Sequence, residues 1–107
     1  MRRFGQILGI RPDRVGEYKR FHARIWPEIE SAIRAHHIRN YSIFLWEDKL
    51  FAYYEYVGQD YEADMRGIAA SPRMREWWDI MEPMQDPVPT RKKGEWWAEM
   101  EEVFHTD

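Results

Sequence analysis

The stretch from Ile38 to Val57, IRNYSIFLWEDKLFAYYEYV, decides how this chain folds. Side chains alternate along Ile38–Trp46, with β-branched and aromatic types typical of a strand. Both faces of this strand are apolar or aromatic, with Tyr41, Ile43 and Leu45 on one and Ser42, Phe44 and Trp46 on the other. The polar segment 47–49 predicts a hairpin connection to a second strand, Leu50–Val57. A sheet that is apolar on both faces needs cover on both sides.

The segments around the hairpin complete a recognisable order of elements. They predict a first strand at Arg3–Ile10, a helix from Pro12 to about Arg24, a second helix that restarts at Pro27, helices that follow Asp60 and Ser71, a loop of about a dozen residues from Pro83 to Gly94, and a last strand within Trp96–His105. This order is that of a ferredoxin-like split βαβ fold, an α+β architecture in which helices cover one face of an antiparallel sheet. The second face then needs a ligand or another subunit, and we expect a homodimer.

The composition of the chain narrows its possible partners. A length of 107 residues predicts a single domain, 1–107. Aromatic residues make up 16%, more than one small core requires, which indicates rings in a ligand pocket or a subunit interface. The interspersed 16 basic and 19 acidic residues argue against a nucleic-acid partner, and the lack of cysteine excludes disulfides and thiolate chemistry. Without a signal-peptide pattern or a long apolar run, we expect a cytoplasmic protein that is not inserted in a membrane.

A polar pair occupies the face of the first helix that should be buried. Spacings of 3, 4 and 3 residues place four side chains on this face of the helix, namely Val15, Tyr18, His22 and Ile25. Tyr18 and His22 therefore lie one turn apart, where an amphipathic helix normally carries leucine. Two interpretations stay open: a core histidine whose ring is bonded to a backbone carbonyl, or an acid/base site.

Other candidate residues are the adjacent Trp77 and Trp78 on the helix that follows Ser71. Adjacent helical residues point about 100° apart, so one tryptophan belongs in the core and the other at an interface or against a ligand. The remaining histidines do not form a metal-binding set with His22. His36 and His37 are adjacent near a helix end, where a protonated imidazole interacts favourably with the negative end of the helix dipole. His105 lies near the C-terminus. The candidate carboxylates are Glu28, Glu55 and Glu102.

These motifs together resemble one known family. Tyr18 and His22 followed by Ile-Trp-Pro-Glu at 25–28, Asn-Tyr-Ser-Ile at 40–43 and the tryptophan pair at 77–78 are similar to the pattern of the L-rhamnose mutarotases. The resemblance implies a dimeric α+β barrel that exchanges the anomers of a sugar. It implies His22 as the acid/base and Tyr18, Tyr41, Trp77 and Trp78 as sugar contacts.

The reaction itself explains why such residues suffice. Anomer exchange needs a proton delivered to the ring oxygen and another removed from the anomeric hydroxyl, so we expect neither cofactor nor metal. One departure concerns the loop Glu82–Pro89, where an Asn-Pro-Asp-Asn-Ser-Pro type of sequence is expected in the family. The preferred sugar, L-rhamnose or a related deoxy-sugar, is therefore open.

Two other functions remain as alternatives. A small monooxygenase on the same dimeric fold would use His22 as a ligand or base in an apolar pocket. A non-catalytic sugar-binding module would use the aromatic pocket without chemistry. An RNA-recognition domain shares the strand order, but the chain lacks the aromatic signature and the basic face that such a domain needs.

Overall fold

A computed structural model of the chain describes all residues, 1–107. The elements in chain order are β1 (Arg2–Ile10), a 3₁₀ turn (Pro12–Arg14), α1 (Val15–Ala23), α2 (Pro27–Ala35), β2 (Ile38–Trp46), β3 (Lys49–Tyr56), α3 (Tyr61–Ala70), α4 (Pro72–Met81), a 3₁₀ turn (Glu82–Met84), β4 (Gln85–Asp86) and β5 (Ala98–Met100). No helix is long and apolar enough to cross a membrane.

Local sequence signals account for where the helices begin. The backbone of Trp26 is extended (φ −65°, ψ 133°), as expected before a proline, and α2 starts at Pro27. The side chain of Asp60 accepts a hydrogen bond from the Ala63 amide at 3.1 Å, and the Ser71 hydroxyl accepts one from Met74 at 3.3 Å. These side chains satisfy amide groups that have no partner within the first turn. The predicted helix starts at Pro27 and after Asp60 and Ser71 are therefore confirmed, whereas α1 begins at Val15 and not at Pro12, because a 3₁₀ turn comes first.

The sheet confirms the predicted ferredoxin-like order. All pairings are antiparallel, and the strands run β2-β3-β1, with β4 and β5 both on the remaining edge of β1. The fourth strand is thus divided, since β4 pairs with Gly9–Ile10 and β5 pairs with Gly5–Ile7. At Gly9 the backbone of Asp86 passes so close that a Cβ atom would collide with it, and this contact needs a glycine.

The prediction for the last strand was wrong in extent. Only Ala98–Met100 of the predicted segment Trp96–His105 pairs with β1, and the residues from 101 onward have no regular structure. Beyond Met100 the chain contacts β1 through side chains, because the Arg3 guanidinium donates two hydrogen bonds to Glu102 at 2.9 and 3.2 Å. The predicted loop is shorter than expected as well, since β4 lies within it.

All four helices pack on one face of the sheet, as predicted. The innermost side chains come from both layers and from the turn before β4: Leu8, Ile10, Ile29, Leu50 and Met84. The opposite face, which we call the open face, carries an apolar row across four strands, formed by Ala98, Ile7, Phe51 and Phe44. Phe44 and its neighbour Trp46 are 65% and 71% exposed. The open face of a single chain therefore remains uncovered.

Candidate active site

A cavity of about 910 Å³ lies between the helices and the sheet. Its exposed wall residues come from α1, α2 and β2, so the cavity opens between these elements. The structure brings all the sequence-predicted site residues to this one cavity: Tyr18, His22, Tyr41, Trp77 and Trp78. The volume is in the range of small-molecule sites.

The environment of His22 determines which ring nitrogen is available. Its Nδ1 lies 2.9 Å from the carbonyl oxygen of Tyr18 on the same helix. A carbonyl can only accept, so Nδ1 carries the proton in the neutral ring and Nε2 is left unprotonated. The ring stacks on Tyr18 with a centroid distance of 4.2 Å and meets the edge of Trp77 at 5.3 Å. Burial lowers the pKa of His22, and the hydrogen bond to Tyr18 opposes that effect.

Both interpretations of His22 thus describe part of its geometry. One nitrogen is bonded to a backbone carbonyl, as in a core histidine, while the ring lines the cavity. A neutral imidazole with a free Nε2 in an apolar cavity has the geometry of a general base.

Tyr18 supplies a hydroxyl beside the imidazole. The residue is 5% exposed, and burial raises the pKa of Tyr18 to about 12. The side chain of Gln85 has the opposite, smaller effect on that pKa. The hydroxyl therefore stays protonated at neutral pH and can donate a hydrogen bond.

A bulge in β2 places Tyr41 on the cavity side. Asn40 and Tyr41 together oppose one residue of β3, Tyr54, and Asn40 adopts a positive φ of 51°, which asparagine tolerates. The ring of Tyr41 consequently stacks on Tyr54 with a centroid distance of 5.4 Å. Burial, followed by the neighbouring Tyr18 and Tyr61, raises the pKa of Tyr41 above its usual range. Tyr18, Tyr41 and Tyr61 all line the cavity.

The tryptophan pair divides as the helical geometry predicts. Trp77 is 5% exposed and packs edge-on against Phe21, His22 and Trp26. Trp78 is half-buried and also contributes to the cavity wall. Trp77 therefore holds the His22 ring in place, and Trp78 offers more free surface.

Sequence reasoning missed several cavity residues. Tyr54 and Tyr61, whose hydroxyls bond to each other, line the cavity together with Gln6 and Trp97. Tyr54 could have been found, because it belongs to the alternating set of β3 that faces the helices. No local pattern marks Gln6 or Trp97, since their positions depend on strand pairing between distant segments.

The other candidate histidines and carboxylates lie outside the cavity. Two histidines bond elsewhere, His36 to the Ala32 carbonyl and His37 to Asp64. Glu28 lies close to Arg73, and Glu102 accepts hydrogen bonds from Arg3. Glu55 accepts hydrogen bonds from Tyr53 and Asn40. The carboxylate on the cavity wall is Glu30. No group of three His, Asp or Glu side chains is placed to hold a metal ion.

Comparison with known proteins shows the family of the chain. The family model described as L-rhamnose mutarotase matches residues 3–106. The chain is 36% identical to an L-rhamnose mutarotase of Lactiplantibacillus plantarum, with 100% of both chains covered, and 36% identical to one of Listeria monocytogenes, with 98% of both covered. The crystal structure of an L-rhamnose mutarotase from Formosa agariphila has the same fold, with a TM-score of 0.77, 23% identity and full coverage of both chains. The chain therefore belongs to the L-rhamnose mutarotase family.

Proposed function

We propose that this protein interconverts the α and β anomers of L-rhamnose or a related deoxy-sugar, as an isomerase that uses acid/base chemistry. The observation that carries the proposal is the unprotonated Nε2 of His22, in a ring that lines an apolar cavity together with Tyr18 and Tyr41. Membership of the family supports the same reaction.

The proposed reaction moves one proton between two oxygens of the sugar. Nε2 of His22 takes the proton of the anomeric hydroxyl while the bond between C1 and the ring oxygen breaks. The protonated imidazole then donates this proton to the ring oxygen, and the open-chain aldehyde forms. Rotation about C1–C2 and the reverse steps close the ring as the other anomer. His22 can serve both directions because its neutral form accepts and its protonated form donates.

The aromatic walls suit a sugar as the ligand. A sugar has hydroxyls on its edges and C–H groups on its faces, so tryptophan rings can pack on a face while tyrosine hydroxyls bond to the edges. We assign the first role to Trp78 and Trp77, which both line the cavity, and the second to Tyr18 and Tyr41. No residue in these roles requires a cofactor.

NMR saturation transfer between the anomers of a panel of deoxy-sugars tests the proposal. We expect faster exchange with the protein than without it, for L-rhamnose or a close relative. Sugar binding without faster exchange would instead support the non-catalytic module. Oxygen consumption or a haem Soret band on purification would support the monooxygenase.

The Tyr18→Phe variant should keep exchange but bind the sugar more weakly. One lost hydrogen bond is worth about 1 kcal/mol, which corresponds to roughly fivefold in KM. The saturation-transfer rate at several sugar concentrations gives kcat and KM separately. Tyr53→Phe, which removes a hydroxyl bonded to Glu55 on the open face, is the matched control. If Tyr18→Phe lowers kcat as much as loss of His22 does, the hydroxyl transfers a proton.

The exchange rate should fall in acid with a midpoint below 6.5, the ordinary pKa of histidine, because burial lowers the pKa of His22. The base form is then complete at neutral pH and is lost as the pH falls through the lowered pKa.

The same shift predicts that the free energy of unfolding decreases as the pH falls below 6.5, since the unfolded chain binds the proton more readily. Rates and denaturant midpoints measured across this range check both statements, and an acid midpoint above 6.5 would contradict them.

We also propose that two copies associate through the open face and that the protein acts in the cytoplasm. The apolar row across the open face supports the first part, because a two-fold axis would bury the same patch on both partners. Cell fractionation tests the second part.

A further inference from the structure

We infer that Gln6 is a substrate-binding residue, whose side-chain amide bonds to a hydroxyl of the sugar and selects sugars that carry this hydroxyl. The inference deepens the proposed function and rests on it. Gln6 belongs to β1 and lies outside every motif on which the family resemblance depends.

Gln6 lies on the face of β1 that is covered by the helices. It alternates with Phe4 and Leu8, which are 4% and 0% exposed in the core. The residue across from Gln6 in β3 is Ala52, whose side chain is a single methyl group. Gln6 is half-buried and forms part of the cavity wall. The cavity thus has a polar group on its sheet side as well as His22 on its helix side.

Burial separates Gln6 from most of the other polar residues in the cavity wall. Those residues are exposed and belong to the rim of the cavity, namely Lys19, Glu30, Arg34, Arg39 and Asn40. Apart from tyrosines and tryptophans, the half-buried polar residues of the wall are His22 and Gln6. A ligand that has passed the rim would therefore meet the Gln6 amide among largely apolar side chains.

The Gln6 amide has no hydrogen-bond partner within the protein, although the residue is half-buried. By contrast, the other half-buried glutamine, Gln85, accepts a hydrogen bond from the Trp96 indole at 2.8 Å. Neither polar atom of Gln6 is completely buried, so both remain accessible to a molecule in the cavity. An unpaired amide in an apolar wall costs folding free energy that an apolar side chain would not cost. Such a local cost is expected where a residue serves a ligand.

A neutral amide suits a sugar hydroxyl as its partner. The amide oxygen accepts a hydrogen bond and the amide nitrogen donates, while a hydroxyl can do both. The amide does not titrate near neutral pH, so it can hold a hydroxyl but cannot exchange a proton with it. Loss of the amide should thus weaken binding and leave the chemical step, which we assign to His22, nearly unchanged.

The Gln6→Met variant removes the amide and keeps a side chain of similar length. Since no hydrogen bond within the protein is lost, its denaturant midpoint should equal or exceed that of the wild type. Gln59→Met is the matched control, because Gln59 is exposed after β3 and does not line the cavity. Gln6→Leu takes the place of Gln6→Met if the latter does not fold. A loss of folding in both variants would show a structural role and overturn the inference.

The probes are L-rhamnose and analogues that each lack the hydroxyl on C2, C3 or C4. Quenching of tryptophan fluorescence gives Kd for each sugar, and saturation transfer gives kcat and KM. For L-rhamnose we expect Gln6→Met to raise Kd and KM about fivefold, with kcat within about twofold of the wild type. Gln59→Met should change each quantity by less than about twofold.

The analogues decide whether Gln6 acts on a hydroxyl directly. In the wild type, removal of the hydroxyl that bonds to Gln6 should weaken binding about fivefold. In Gln6→Met this penalty should disappear for that analogue and persist for the others, because only the shared contact is already lost. Penalties that stay unchanged for all the analogues, or an unchanged Kd for L-rhamnose, would overturn the inference.

The two measurements separate this inference from the proposed function. A wild type that binds L-rhamnose without faster anomer exchange would contradict the proposed function, while the Kd values still test Gln6. Faster exchange in the wild type, with an unchanged Kd in Gln6→Met, would contradict only the role of Gln6. A wild type that binds none of these sugars would overturn the inference, and the panel of deoxy-sugars would still test the proposed function.

Discussion

Replacing His22 with asparagine will lower enzyme-dependent anomer exchange by at least about 10²-fold and leave the fold intact. Asparagine keeps an N–H that can donate to the Tyr18 carbonyl, the present partner of Nδ1. It lacks the titrating Nε2 of a ring that lines the cavity, so the loss should fall on kcat. Saturation transfer measures the rate, and circular dichroism with a denaturant midpoint measures the fold.

The His105→Asn variant is the matched control for this experiment. His105 is exposed in the C-terminal segment, bonds to Asp107 and is not part of the cavity wall. We expect its exchange rate to equal that of the wild type. A folded His22→Asn protein with the wild-type rate would remove His22 from the mechanism.

The substitution Phe44→Lys or Phe51→Lys will release monomers or prevent folding, if the open face is the dimer interface. The two rings are cross-strand neighbours in the apolar row of that face. A buried, unpaired ammonium costs several kcal/mol, and a penalty of roughly 4 kcal/mol would weaken the dimer about a thousandfold. Light scattering after size exclusion, over a range of concentrations, measures the association.

Ala70→Lys provides the control for added charge. Ala70 is exposed at the C-terminal end of α3, on the side of the sheet that carries the helices. A lysine there interacts favourably with the negative end of the helix dipole. This variant should leave the association unchanged. A wild-type chain that is monomeric at its mass of 13.1 kDa at micromolar concentration would contradict the dimer. An active dimer that carries either Phe44→Lys or Phe51→Lys would place the contact elsewhere.

The helices and strands that were predicted correctly depend on short-range signals. Pro27 restricts the residue just before it, and Asp60 and Ser71 bond to amides three residues later. Alternation along 38–57 likewise needs only neighbouring residues to define two faces. Such signals are readable because cause and effect lie within one turn or one strand.

The candidate site was predicted in part for the same reason. Tyr18 and His22 share a face of one helix, so their proximity follows from the helical period. Their meeting with Tyr41 and Trp77 needs the sheet and a second helix pair, and it was anticipated from the family resemblance and from the chemistry that a sugar ligand requires.

The sequence by itself determined the order of elements, the two apolar faces of the hairpin and the Tyr18–His22 pair. Tertiary structure decided the rest: the division of the fourth strand into β4 and β5, and the cavity in which the His22 ring lies. The division of the fourth strand depends on the register between β1, at the start of the chain, and segments near its end. Periodicity and capping act over a few residues, so they carry no information about such a register.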